Sequence, residues 1–317
     1  GKGRCNVTNA GDMDELFGAV ITNKKFMFSS FYGFTNEDMM QFLEDAGLHL
    51  KIERGKRVFP VSDHSSDVIA ALQRGLRKEN VDIYFNTTVK KILIEDGIVT
   101  GVRLASGDTV KADKVVVATG GMSYQATGST GDGYDFARKA GHKVTKLTPA
   151  LVPFEIKEDY CKQLMGLSLR NVAVTMTADG KKIYEDFGEM LFTHFGISGP
   201  VVLSASSYIG KYQGKELKFI IDLKPALNKE QLDHRVLKDF NKTLNKDFVN
   251  SLDHLLPKKL IPVMIELSGI PEHKKVNEIT KKERERFVSL LKHLELTITG
   301  VRGFKEAIIT QGGVNVK

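Results

Sequence analysis

The stretch that most constrains the fold is Asp113–Ala137. It opens on Val115, Val116, Val117 and Ala118, a continuous apolar run rich in β-branching, the composition of a strand buried on both faces. The run breaks at Thr119-Gly120-Gly121 and again over Gly128–Gly133, and Tyr134–Ala140 then reads as a helix with Gly141 as its stop. A strand, a glycine-rich turn and a helix bring backbone N–H groups to a phosphate at a helix N-terminus. The spacing predicts an α/β domain.

The flanking segments fit around that unit. Thr35 and Asp38 are spaced as a capping box for a helix carrying Met39, Met40, Phe42 and Leu43, with Gly47 as its stop. Ser62 or Asp63 is expected to cap a second helix reaching about Glu79, with Val68, Ile69, Leu72 and Leu76 on its buried stripe. From Val81 the period changes to two. Val81–Asn86 reads as a strand, and Val89–Glu95, Ile98–Leu104 and Thr109–Ala112 as an antiparallel meander with Asp96-Gly97 as its first turn.

Beyond Pro149 and Pro153 the pattern becomes β-rich, with alternating runs at Asn171–Thr177, Lys181–Asp186 and Lys215–Leu223 that predict a barrel-like unit. After Pro225 it turns helical: Asn228 caps Lys229–Leu244, Phe248–Leu255 and Lys258–Leu267 follow, and Thr280 and Glu283 form a further capping box. Leu296–Thr299 and Glu306–Thr310 read as strands, ending on Gly312-Gly313-Val314, a second glycine pair like Gly120-Gly121. The expected organisation is an α/β domain, residues 1–150 and 303–317, interrupted by an insertion over 151–302. Within the insertion, 151–225 is barrel-like and 226–295 helical.

Composition narrows the function classes. Cys5 and Cys161 are the only cysteines, so there is no disulfide framework and no CxxC metal site; the 8 histidines show no metal-binding spacing. No apolar run nears the roughly 18 residues a membrane helix needs, and the expected setting is the cytoplasm. The net charge of +7 is spread along the chain, which suits an anionic ligand and an ordinary solvated surface alike.

Three stretches carry chemistry. Gly1–Asn9 packs Arg4, Cys5, Asn6, Thr8 and Asn9 into one loop; Arg4 suits a phosphate or an anionic ring, and Cys5 is either a redox thiol or a small structural residue. Gly128–Gly133 is not a Walker loop, since no Gly-Lys-Ser/Thr follows. His194, beside Thr193 and Ser198, is the general acid/base candidate of the insertion or a structural histidine. No Ser-His-Asp order or paired carboxylate points to a hydrolase.

Taken together, GKGRCNVTN, ATGGMSYQATGSTGDGY, LFTHFGISGP and GFKEAIITQGGV resemble the BaiN-type, aminoacetone-oxidase-like bacterial NAD(P)/FAD-dependent oxidoreductases, in that family's order along almost the whole chain. The resemblance implies a Rossmann-like FAD-binding domain interrupted by a β-barrel plus helical bundle. It implies bound FAD, with NAD(P)H as a co-substrate, and hydride transfer to or from a small molecule. It assigns Arg4, Cys5, Asn6, Thr8 and Asn9 to the flavin and pyrophosphate region and the Val89 backbone to the adenine. Thr119, Gly120 and Gly121 would approach the nucleotide, and Gly312, Gly313 and Val314 would face the ring. His194 and Ser198 stand as candidates for the substrate side.

Such proteins open with a G-x-G-x-x-G unit and continue past the counterpart of Val314, so the chain is expected to be cut at both ends. Two other readings stay open. One is an RNA-modifying or nucleic-acid-binding flavoprotein using the basic surface around Lys274–Arg286; the other is a non-catalytic scaffold.

Overall fold

The computed structural model describes residues 3–79 and 81–316. The chain divides into two compact units, Gly1–Val115 with Val316–Lys317, and Val116–Asn315. The fold is mixed α/β, as expected, with a closed six-stranded barrel in the second unit.

In the first unit, Thr8–Asn9, Arg57–Pro60 and Leu50–Glu53 form a small antiparallel sheet with Arg57–Pro60 in the middle. Helix Asn36–Asp45 carries the expected capping box, Thr35 with Asp38. Leu43 from this helix and Val68 and Ala71 from helix Ser65–Lys78 bury a small core with Leu48, against which Cys5 and Val7 pack. Two helices were not anticipated: Met13–Ala19, capped by Asp12 and Glu15, and Lys24–Gly33. Phe26, Phe28, Phe31 and Tyr32 spread around Lys24–Gly33 and hide its helical period, and Phe17 contacts Phe28, Phe31 and Tyr32.

The meander forms as expected from Val89–Glu95, Ile98–Leu104 and Thr109–Lys111. Asp96 and Gly97 both take positive φ, 49° and 79°, the conformation that lets a two-residue turn follow the twist of its strands.

Two expected strands are not formed. Val81–Asn86 and Val115–Ala118 enter no ladder; Ile83, Tyr84 and Phe85 are exposed, and Val116 is 88% exposed. A run rich in β-branching becomes a strand only where neighbouring strands accept its hydrogen bonds and layers cover its faces. Among the described residues neither run has such neighbours.

The barrel of the second unit runs Lys181–Thr193, Gly196–Ser198, Phe154–Ile156, Leu294–Val301, Leu217–Asp222 and Ser168–Ala178, antiparallel throughout. Along Ser168–Ala178, burial alternates from Val172 onward, and Phe154, Met176, Phe192, Phe219 and Ile221 are completely enclosed. Closure removes the free edges that long strands would otherwise present. Helices Lys229–Asn241, Ile261–Ser268 and Lys281–Lys292 extend the same core through Val236, Phe240, Met264, Phe287 and Leu291. Their expected caps at Asn228 and Thr280 are present as full capping boxes. Phe248–Leu255 contains only the 3-10 turn Phe248–Ser251. Outside the barrel, Ile309–Gln311 pairs with Thr148–Ala150, register Thr310 to Pro149.

Candidate functional site

In the first unit the loop entering Thr8–Asn9 is fixed by its own polar side chains. Arg4 donates from Nε to Asp63 Oδ1 at 2.9 Å and from Nη2 to Glu53 Oε1 and Asp63 Oδ1, and its guanidinium lies 4.2 Å from the centre of the Phe59 ring. Lys51 Nζ completes the cluster at 2.7 Å from Asp63 Oδ2. The hydrogen bond to Glu53, then that to Asp63, raises the Arg4 pKa; Arg4 lowers that of Glu53, and Lys51 followed by Arg4 lowers that of Asp63. The expected role of Asp63 as a helix cap is therefore not taken: His64 stands at that position without a side-chain cap bond. An ion pair drawn from a distant strand outcompetes a local cap here, because charge-assisted hydrogen bonds are the stronger kind.

The other loop residues also look inward. Turned so that its NH2 faces the neighbouring carbonyls, the Asn6 amide donates to Val58 O at 3.1 Å and Thr8 O at 2.9 Å. Asn9 donates to Gly55 O at 2.9 Å and accepts from the Gly11 N–H at 2.8 Å. Cys5 is half-buried at φ 61°. With the Arg4, Asn6 and Asn9 side chains occupied, the loop offers a ligand chiefly its backbone, Cys5 and Thr8.

Val89 begins the outer strand of the meander. The Ala105 N–H donates to Thr88 O at 2.8 Å, so Thr88 faces the neighbouring strand. By the alternation of an antiparallel ladder, Val89 turns its own N–H and C=O to the free edge. That is a donor–acceptor pair suited to a purine edge.

In the second unit, the glycine pairs Gly120-Gly121 and Gly312-Gly313, 192 residues apart in sequence, come together. Thr310 Oγ1 accepts the Met122 N–H at 2.8 Å and lies 3.3 Å from Ser123 Oγ. A Cβ on Gly121 would stand 2.6 Å from Thr310 Oγ1 and 3.1 Å from the Tyr134 hydroxyl, and one on Gly313 would stand 3.7 Å from Tyr134 Cε1. Gly312, at φ 93°, approaches the Lys146 carbonyl so closely that a Cβ would fall 2.2 Å from its oxygen. Thr145 holds Gly313 through both backbone groups: the Gly313 N–H donates to Thr145 Oγ1 at 3.0 Å, and the Thr145 N–H donates to Gly313 O at 2.8 Å. Val314 bridges to Val144. Thr119 packs under the first turn of helix Asp132–Lys139, where a Cβ on Gly133 would stand 2.5 Å from its Oγ1.

Sequence reasoning found both glycine pairs and missed Thr310 and Tyr134, which join them, and Thr145, which holds the second. The two echoing turns were the available signal: a threonine two residues before Gly312 was positioned to reach across.

His194 and Ser198 are not joined by a hydrogen bond. His194 is exposed at the hairpin turn after Lys181–Thr193, its ring 4.9 Å from that of Phe195. Ser198 is half-buried in Gly196–Ser198, opposite Leu191. Cys161 is buried and its thiol is pushed up to about 12, mainly by desolvation. Such a thiol stays protonated and unreactive near neutral pH. No group of metal-ligating residues occurs among the described residues, and no helix there is long and apolar enough to cross a membrane.

Residues 33–145 match a family model described as pyridine nucleotide-disulphide oxidoreductase, and residues 148–309 match the HI0933-like protein barrel and H2TH domain. The chain is similar to a 3-dehydro-bile acid delta(4,6)-reductase of Clostridium scindens, 34% identical over 99% of this chain and 76% of that protein. It is also similar to ribosomal RNA dihydrouridine synthases of Haemophilus influenzae (30% identical, 100% of this chain and 76% of that protein) and of Escherichia coli (28%, 99% and 75%).

Proposed function

Because the chain belongs to the HI0933-like, BaiN-type family of flavin-dependent oxidoreductases, we propose that it uses FAD to reduce a carbon–carbon double bond conjugated to a carbonyl. The activities of the relatives support this choice. A 3-dehydro-bile acid with 4,6 unsaturation and the uracil ring of uridine share one reducible feature, an alkene activated by a neighbouring C=O. Saturating it takes a hydride on the carbon β to the carbonyl and a proton on the α carbon, with NAD(P)H as the source of both electrons. Bound FAD supplies the hydride chemistry; the protein supplies binding, orientation and electrostatics.

Within each unit, the donor groups support that cofactor. The outward N–H and C=O of Val89 would take the adenine edge. The backbone of Arg4, Cys5, Asn6, Thr8 and Asn9 would line the flavin and pyrophosphate, with the Arg4 side chain holding the loop through Glu53 and Asp63. Thr119, Gly120 and Gly121 would approach the nucleotide. Gly312, Gly313 and Val314, locked by Thr145 and Val144, would bound the ring. We place these roles in an FAD-binding domain of residues 1–150 and 303–317, and the protein in the cytoplasm.

The observation that carries the reading is the identity to the bile acid reductase across nearly the whole chain. It favours a small-molecule substrate over RNA, whose relatives are less similar. The test is spectroscopic. Purified protein incubated with FAD and desalted is expected to keep a flavin band near about 450 nm. Anaerobic NADH or NADPH should bleach it and 3-oxochola-4,6-dienoic acid should restore it. A colourless protein after FAD loading supports the scaffold reading, and restoration only by a ribosomal RNA fragment supports the RNA reading.

A further inference from the structure

The second unit contains a cavity of about 340 Å³ where the end of the barrel meets the pair formed by Thr148–Ala150 and Ile309–Gln311. That size lies within the range of roughly 300–1,000 Å³ in which small-molecule sites occur. Ile209, Leu217, Ile298 and Val301 give it apolar walls, and Tyr212 and Thr299 bring hydroxyl groups to its lining.

Three features indicate what it would hold. Thr299 is the extra residue of a β-bulge: the register of Leu294–Val301 against Phe154–Ile156 slips between Ile298 and Gly300. Bulges re-aim a side chain, and neither the Thr299 nor the Tyr212 hydroxyl has a hydrogen-bond partner among the described residues. Lys215, the charged residue of the lining, is bound to Asp179 Oδ2 at 2.6 Å, and Lys146 reaches the lining through Gln213 Oε1 at 3.0 Å, so the cavity wall itself carries no unpaired cation. The wall is also continuous with the second glycine pair. Gln311 immediately precedes Gly312, and its carboxamide is held by donation to Ser207 O at 3.3 Å and acceptance from Thr148 Oγ1 at 3.4 Å.

We propose that this cavity is the substrate pocket and that it takes the flat, uncharged ring end of an enone, whose carbonyl oxygen accepts hydrogen bonds from Thr299 and Tyr212. The proposal rests on the reading of the chain as a reductase of carbonyl-conjugated double bonds. Apolar walls accept the ring body, and the two hydroxyls replace the water the carbonyl loses on entry. Donors at the carbonyl also become stronger partners as negative charge gathers on its oxygen during reduction. Thr299 and Tyr212 thus serve both affinity and activation.

The test uses the full chain in equilibrium titration with 3-oxochola-4,6-dienoic acid, followed by the dienone absorbance. Saturable binding with a red shift of the dienone band is expected. Ile209→Trp, which fills the cavity, should weaken it at least about tenfold, the scale of a methylene-sized change in an apolar pocket. Thr299→Val, which keeps the volume, should weaken it about fivefold and reduce the red shift. No saturable binding, or binding unchanged in both variants, overturns the proposal. Thr299→Val keeps the test decisive if the tryptophan variant fails to fold. Flavin reoxidation by the dienone is measured separately. Binding sensitive to Thr299 without reoxidation retains the pocket and overturns the reaction; reoxidation with unchanged KM in both variants retains the reaction and overturns the pocket.

Discussion

Thr310 Oγ1 accepts the amide N–H of Met122 at 2.8 Å across 188 residues of sequence. This one bond ties the turn after Thr119-Gly120-Gly121 to the strand that leads into Gly312-Gly313. Thr310→Val keeps the side-chain volume but removes the acceptor, leaving the Met122 N–H without its partner. The variant should lose about 1 kcal/mol of stability, read as a lower denaturant midpoint, and weaken FAD retention more than its stability loss accounts for. Unchanged FAD affinity would separate the bond from the cofactor site.

Gly121 is under tighter constraint. Its missing Cβ would stand 2.6 Å from Thr310 Oγ1 and 2.8 Å from Thr310 Cβ, so Gly121→Ala has to push Thr310 aside. The expected cost is about 1–3 kcal/mol, and because both substitutions act on the same contact they should not add. A double variant with Thr310→Val is the check: its destabilisation should fall well short of the sum.

The parts of this fold that were legible in the sequence are those settled within a few residues. The boxes at Thr35, Asn228 and Thr280 form because donor and acceptor sit three positions apart, and the Asp96-Gly97 turn forms because its φ values need those residue types. The barrel was legible through its alternation. What could not be read depends on distant partners. Asp63 leaves the helix start for Arg4 and Lys51, and Val115–Ala118 has strand composition without neighbouring strands. The partner of Thr310 in the first glycine turn is signalled only by the echo of the two turns, not by any residue beside it. In the candidate site the glycines were visible and the groups that hold them were not.

Arg4, with both carboxylates satisfied by it, is expected to act on the loop and not directly on a phosphate. Arg4→Gln leaves Glu53 and Asp63 facing each other with Lys51 as their shared cation. FAD affinity should fall at least about tenfold through loss of loop order. Glu53→Gln, which leaves Arg4 in place with one charged partner fewer, should produce a fall in the same direction. If Arg4 instead bound the pyrophosphate directly, freeing it from Glu53 would strengthen FAD binding. Fluorescence titration of the flavin with the two variants decides the sign.

Glu283 gives a pH dependence with a defined direction. Lys274 Nζ donates to both its oxygens, at 2.8 and 2.9 Å; this pair first, then the Thr280 N–H, holds its pKa down to about 2. An unfolded glutamate titrates near about 4.3. The stabilisation is therefore fully present above that value and is lost as pH falls toward 2. Lys274→Met should cost about 1 kcal/mol at pH 7, and its gap from the parent should close steadily below about pH 4.3. Urea midpoints between pH 7 and pH 3 test this, and a gap that widens on acidification would contradict it.

His194 and Ser198 permit the sharpest kinetic test. General acid–base catalysis by a side chain contributes about 10²–10⁴ in rate, and it requires the group to be held at the reacting atom. His194 is exposed at a turn and no hydrogen bond among the described residues orients its ring, while Ser198 sits in a strand paired with Leu191. The contribution expected of a histidine in that setting is shape and polarity, carried by its ring contact with Phe195. His194→Gln is therefore expected to change kcat by less than about tenfold, well below the general acid–base range, and to leave the shape of the pH–rate profile intact. Ser198→Ala should behave alike. A loss of 10² or more in kcat together with the disappearance of one limb of the pH profile would instead make His194 the proton donor to the α carbon. It would also require the turn to close over substrate, since the exposed ring is otherwise in contact with bulk water.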